Sequence, residues 1–324
     1  MSFSILLVAA CIPSIVLLCY IYRKDRAEKE PFSLLALLFG LGAASALPVV
    51  IAELALGKLN VFPEGSVPSN FHEAYIVAGL CEEVGKFLVL YFVTRKNKNF
   101  NCLFDGVIYA VVVSLGFATL ENILYVFENG LQIALTRAIT SVPGHMFFGV
   151  LMGYFYTFWH LFSNLEVVEQ KYAQMRLIDT VQPNKVNKTT YFVLALVVPI
   201  LVHGTYDFLI FSATSVTIVA FFILLIGLYI YCFKKIKTMS AQDQHEANMI
   251  AAILNQKYPY LYPRIRQAMQ AQQMQYNPYT QAAYNPYSAQ NNYGYQYQQP
   301  TQRPVQNGYY QPQQAPNNNN YTYR

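Results

Sequence analysis

The sequence predicts an all-α membrane protein: a polytopic bundle of about seven transmembrane helices followed by a disordered C-terminal tail. Three observations carry that prediction. Apolar residues make up 54% of the chain and charged residues only 12%, about half the ~25% typical of a soluble domain, which argues against a soluble fold. Apolar runs long enough to cross ~30 Å of hydrocarbon recur along the front of the chain. Beyond Ser240 the composition turns polar, so the mean hydropathy of +0.25 understates how apolar the front part is.

The runs fall near residues 3–22, 32–57, 74–94, 103–127, 138–160, 191–211 and 214–233. The first is read as an uncleaved span. No Lys or Arg precedes Val8-Ala9-Ala10-Cys11, and the apolar run continues to Tyr22, unlike a leader with a basic start. The connections alternate in charge. Arg23, Lys24, Arg26, Lys29, Arg95, Lys96, Lys98, Lys171, Arg176, Lys185, Lys188, Lys234, Lys235 and Lys237 fall on one side, whereas only Lys58 and Arg137 fall on the other. The positive-inside bias then puts the N-terminus outside and the tail in the cytoplasm. Because the basic residues sit in short groups between apolar runs, the net charge of +5 reports topology and not nucleic-acid binding. Cys11, Cys19, Cys81, Cys102 and Cys232 form no CxxC pair, so neither a disulfide framework nor a zinc ribbon is expected, and they read as small core residues.

Two regions follow: a membrane domain over residues 1–239 and a tail over 240–324. The tail interleaves Gln, Asn and Pro with tyrosines and repeats Asn-Pro-Tyr at 277–279 and 285–287. A short helix is expected over 241–257 and disorder beyond Tyr258, of a polar, aromatic kind suited to self-association. No part in the chemistry is expected of it.

Ionisable groups inside spans are the informative residues, because each costs about 2.5–3.5 kcal/mol at a bilayer centre on insertion scales. Glu82, Glu83 and Lys86 lie in the third span, Glu121 in the fourth, His145 in the fifth, and His203 with Asp207 in the sixth. Glu82 and Lys86, four apart, share a helical face and can pair. On that reading Glu83 is left unpaired, and Glu121 needs a partner from another helix. With ~1.5 Å of rise per residue, Glu82, Glu121, His145 and His203 all come out roughly 9–12 Å from the outer ends of their spans. Carboxylates and histidines in one layer suit holding a water, with or without zinc, and taking its proton as it attacks a carbonyl. An ion-coupled carrier using the acids as proton or cation sites is the alternative, weakened by the lack of an internal repeat.

At these residues the sequence resembles the PrsW family of intramembrane proteases, related to the type II CAAX prenyl proteases. The motif of two glutamates and a basic residue stands as Glu82-Glu83-Val84-Gly85-Lys86. Phe-x-x-x-Glu-Asn stands as Phe117-Ala118-Thr119-Leu120-Glu121-Asn122, and the histidine motif as Pro143-Gly144-His145-Met146-Phe147-Phe148. His203-Gly204-Thr205-Tyr206-Asp207 is the fourth, and Asp25-Arg26-Ala27-Glu28-Lys29-Glu30-Pro31 is similar to the family's first loop. The resemblance covers roughly residues 10–235. It implies an endopeptidase of the lipid bilayer that cuts single-span membrane proteins such as anti-sigma factors. Carried over, it makes Glu82 the general base, Glu83 a second acid and Lys86 a counter-charge. Glu121, His145 and His203 become water or metal ligands, and Asp207 orients His203 or the water. Asn122 is a candidate oxyanion donor through its amide. The family is described both as metalloproteases and as glutamate proteases without a metal, and the residues suit either. Zinc is the expectation, since a cation would ease the crowding of Glu82, Glu83 and Glu121.

Overall fold

The computed structural model describes residues 3–184 and 188–275, with side chains to residue 270. The helices are α1 (Phe3–Lys24), α2 (Phe32–Gly57), α3 (Val67–Phe71), α4 (Cys81–Thr94), α5 (Asp105–Asn129), α6 (Leu131–Ile139), α7 (Ser141–Gln174), α8 (Lys188–Ser212), α9 (Ser215–Ala241), α10 (Glu246–Lys257) and α11 (Leu261–Gln275). A π-helical segment, His72–Leu80, joins α3 to α4 without a break. The chain is an all-α, multi-pass integral membrane protein. Six helical stretches among the described residues are long and apolar enough to span: α1, α2, α5, α6 with α7, α8 and α9. The predicted third span is helical throughout. It differs from the others in carrying Glu82, Glu83 and Lys86 in α4 and in its π-helical first half.

Helix α5 is the centre of the bundle. Every residue from Asp105 to Thr119 is buried, against α1, α2, α4 and α7. Small residues allow the approach: a Cβ on Gly153 of α7 would lie 2.5 Å from the Gly106 carbonyl oxygen, and one on Gly116 would lie 2.2 Å from that of Phe39 in α2. Close backbone approach through small residues is how helices associate when lipid supplies no hydrophobic drive. Outward faces are apolar and bare, with Leu47, Ile51 and Leu54 on α2 and Ile223, Ile226 and Ile230 on α9 exposed. In water such surface would be a liability, and in lipid it is the solvated face.

The connections bearing most of the basic residues meet at one end. Ser240 donates to the Lys24 carbonyl, the Asp243 carboxylate accepts from the Ala27 and Phe104 amides, and Leu103 N–H donates to the Gln244 carbonyl. Arg137 departs from its expected place in an outer loop. It lies in α6, 9% exposed.

The start of the tail is also more ordered than expected. α10 falls within the predicted 241–257, but α11 occupies residues expected to be disordered. Ile250 and Leu254, one turn apart, join Tyr258 and Leu261 in a small second core with Leu161 and Leu165 of α7 and Ile178. The first compact unit therefore runs to Ala268. Of the second unit, residues 269–324, only 269–275 are described, continuing a helix. The Asn-Pro-Tyr repeats lie outside the described residues.

Candidate active site

Helix α4 presents Glu82, Glu83 and Lys86 over one turn, and all three are buried. The Lys86 ammonium has no solvent, so its charge must be met by acceptors. Its Nζ lies 2.9 Å from Glu82 Oε2, 2.8 Å from Glu83 Oε1 and 3.0 Å from His145 Nδ1. The face of Phe117 covers it, 4.4 Å from ring centroid to Nζ. Glu83 is therefore paired, contrary to the expectation from spacing alone. The i,i+3 contact to Lys86 and a contact across to α8 both reach it.

His145 enters early in α7. Pro143 is tolerated just before it because the amides of the first turn have no intrahelical acceptor. An ammonium can only donate, so Nδ1 of His145 carries the lone pair and Nε2 the proton. That Nε2 lies 2.8 Å from Glu121 Oε2, which makes the ring a neutral donor to Glu121.

His203 is placed by contact between α8 and the π-helical segment. A Cβ on Gly204 would meet the Tyr75 ring at 2.3 Å, so only glycine admits the approach. His203 Nδ1 lies 2.9 Å from Glu83 Oε1 and Nε2 lies 3.2 Å from Asp207 Oδ2. Carboxylates only accept, so both nitrogens donate and the ring is an imidazolium. Phe148 stacks on it at 4.5 Å. The π-helical run ends at Leu80, two residues before Glu82 and six before Lys86, a geometry that concentrates at functional sites.

One network thus brings together Glu82, Glu83, Lys86, Glu121, His145, His203 and Asp207. Asn122 stands apart from the water-facing groups: its amide Nδ2 donates to the Ala10 carbonyl at 2.8 Å, and its Oδ1 accepts from Arg137 Nε at 2.9 Å. With the amide fully buried and committed in this way, Asn122 is a poor oxyanion donor. Its geometry is that of a group holding Arg137.

Two residues were missed from sequence. Arg137 Nη2 lies 2.9 Å from Glu121 Oε2, an ion-pair distance, yet it is not aligned as a hydrogen-bond donor to any acceptor among the described residues. Glu53 of α2 lies in electrostatic range of Glu82, Glu121, Lys86 and His203. The signal for Glu53 was an acid in the otherwise apolar run 32–57, and for Arg137 a basic residue immediately before the fifth span.

Exposure separates the acids. The Glu83 and Lys86 side chains are sealed at 0%, whereas Glu82, Glu121 and Asp207 show 9%, 21% and 16%. Lys86 holds Glu82 by Oε2, and the side chain is not sealed as Glu83 is, which suits Glu82 to meet a water.

The expected metal ligands do not converge. Both nitrogens of His203 donate, so it has no lone pair for an ion, and the lone pair of His145 faces away from Glu121. The donors that do converge are Glu82, Glu83 and His145, with one ligand atom from each within 4.8 Å of the others. Lys86 Nζ lies at hydrogen-bond distance from all three. An ion there would meet a positive charge held by the same atoms, so the residues as arranged do not fit a metal. The charge argument for zinc weakens too, because Lys86, His203 and Arg137 oppose Glu82, Glu83, Glu121 and Asp207.

Comparison with known proteins adds a family. The profile described as PrsW family intramembrane metalloprotease matches residues 30–232. Protease PrsW of Geobacillus kaustophilus is 34% identical over 208 residues, 64% of this chain and 80% of that one. Protease PrsW of Oceanobacillus iheyensis is 34% identical over 232 residues, covering 71% and 95%, and that of Bacillus subtilis is 31% identical over 207, covering 64% and 83%. No solved structure matches.

Proposed function

The chain belongs to the PrsW family of intramembrane metalloproteases and is a membrane-embedded peptide hydrolase, and on that premise we propose that it cuts single-span membrane proteins, anti-sigma factors among them, with a water activated by Glu82. The observation that carries this reading is that Lys86 fixes Glu82 by Oε2 while the Glu82 side chain, unlike that of Glu83, is not sealed from solvent.

Glu82 Oε1 accepts the water proton as the water oxygen attacks the scissile carbonyl carbon. The same proton passes to the amide nitrogen as the carbon–nitrogen bond breaks, so the carboxylate ends as it began. Glu83 does not touch substrate. It neutralises Lys86 and His203 and so holds the α4–α8 contact. The neutral His145 steers Glu121, and Asp207 fixes the far side of His203. Arg137 Nη2, buried and without an aligned acceptor, supports a role as the donor to the oxyanion.

Substrate chemistry follows from position. A single-span helix offers no reactive backbone until it unwinds, and a polar network buried between α4, α5, α7 and α8 provides partners for the exposed peptide groups. The positive-inside bias supports placing this layer nearer the outer face, with the tail in the cytoplasm. The geometry supports a metal-free route, in which no step needs an ion.

The test is a tagged single-span substrate co-expressed with wild type or Glu82→Ala and examined by mass spectrometry. One defined cut that needs Glu82 is expected. Cleavage surviving in a well-folded Glu82→Ala protein would remove Glu82 as the base. For the metal question, wild type stripped by a chelator and verified metal-free should still cleave. Loss of turnover that zinc restores would favour an ion displacing Lys86.

A further inference from the structure

At the basic-loop end of the bundle, far along α5 from Glu121, three chain segments bring different ligand types together. Glu28 comes from the α1–α2 loop, Cys102 from the α4–α5 loop and His245 from the residue before α10. One ligand atom from each lies within 4.8 Å of the others. We propose that Glu28, Cys102 and His245 form a second, structural site for a borderline-soft divalent cation such as zinc.

The spacing suits the ion. With Zn–S near ~2.3 Å and Zn–N near ~2.0–2.1 Å, tetrahedral coordination separates sulfur from nitrogen by about 3.5 Å. Cys102 Sγ and His245 Nδ1 are 3.4 Å apart. Sulfur, imidazole and carboxylate together form a donor set for zinc and not for magnesium or calcium, which take oxygen ligands. Glu28 and His245 are exposed, so an ion can enter and water can take the fourth position, while Cys102 is 1% exposed.

Backbone contacts hold the ligands in place independently of any ion. Cys102 and His245 form an isolated antiparallel bridge, with Leu103 N–H donating to the Gln244 carbonyl at 3.2 Å and Glu246 N–H to that of Asn101 at 2.7 Å. The Asn101 side chain donates to Glu28 Oε2 at 3.2 Å. The Cys102 amide is fixed in turn by Asp105 Oδ2 at 2.7 Å. The outer ligand shell is thus present, as metal ligands require for orientation.

Charge points the same way. Asp105 bonds the Cys102 amide, Asp243 the Phe104 amide and Glu28 the Asn101 side chain, so three carboxylates are held by the residues flanking the thiol. Asp105 is fully buried, and its Oδ1 has no hydrogen-bond partner among the described residues. Carboxylates gathered around one thiol favour a dication, which binds the thiolate directly. The bound ion would clasp the ends of α1, α5 and α9 and the start of α10. Its place is structural, and cleavage does not pass through it.

The test uses the full chain in detergent, stripped of metal and titrated with cobalt and then zinc. Wild type should take up cobalt with a thiolate charge-transfer band that one equivalent of zinc abolishes, and zinc should raise its melting temperature. Cys102→Ser should lose the band, one equivalent of metal and the zinc-dependent shift. His245→Gln, a second variant that leaves the thiol in place, should bind zinc less tightly while melting like wild type in metal-free buffer. His145→Ala should keep the band, which separates this site from the active site. No band in wild type, or an unchanged band in Cys102→Ser from another cysteine, would overturn the proposal whatever happens to proteolysis.

Discussion

Lys86 Nζ donates to His145 Nδ1 across 3.0 Å, joining α4 to α7 through a fully buried ammonium. The contact fixes the tautomer of His145 and with it the donor that meets Glu121. Removing the ammonium leaves Glu83, which is sealed from solvent, with His203 as its remaining cationic partner. Breaking a buried ion pair by deleting one partner costs about 3–5 kcal/mol. Lys86→Met should therefore lower the melting temperature in detergent sharply and abolish cleavage. Glu83→Gln combined with Lys86→Met should recover part of the stability and none of the activity. If the single variant melts like wild type, the ammonium is not the keystone of the network.

Arg137 gives a kinetic prediction. Loss of one oxyanion donor lowers turnover by about 10²–10³-fold with little effect on substrate binding. Arg137→Gln should do this, with kcat falling and KM nearly unchanged. Asn122→Ala acts only through the Arg137 orientation, so its loss should be smaller and should vanish in the Arg137→Gln background. Additive losses in the double variant would give Asn122 a separate task.

The relation of sequence to structure differs by kind of interaction. The spanning runs were legible because an unbroken apolar stretch is a one-dimensional signal. The pairing of charges was not. Glu83 meets His203 and Glu121 meets Arg137 only because α5, α6 and α8 are rotated to face α4 and α7, and nothing in spacing along one helix encodes that rotation. The sequence places Arg137 in a loop because α6 lies outside the apolar run, and within α6 only Ala134 is buried beside it. α10 could be read from its composition, whereas α11 is rich in glutamine and lacks an apolar period.

Topology follows from the same correction. With Arg137 buried against Glu121 and Asn122, Lys58 remains the one outer loop-proximal basic residue of the two counted from sequence, so the charge asymmetry is sharper. A reporter fused after Lys237 should be cytoplasmic and one inserted in the 58–73 connection external. Both reporters on one side would mean that the helical run 67–94 does not cross.

Truncation tests where the working protein ends. A cut after Met239 removes Ser240, whose hydroxyl meets the Lys24 carbonyl, and Asp243, which caps the Phe104 and Ala27 amides. It also removes Glu246, 3.1 Å from His160 Nδ1, and uncovers Leu161 and Leu165 by taking away Ile250, Leu254, Tyr258 and Leu261. Each fully exposed Leu or Ile forfeits about 1.5–3 kcal/mol, so this truncation should melt well below wild type and accumulate poorly, even though no group in the active-site network is lost. A cut after Gln275 leaves the second core whole. It should retain wild-type melting and full cleavage, with any effect confined to clustering. Equal stability of the two truncations would show that α10 adds nothing to the bundle, whereas loss of turnover after the Gln275 cut, in protein that melts normally, would make the remaining tail part of the enzyme.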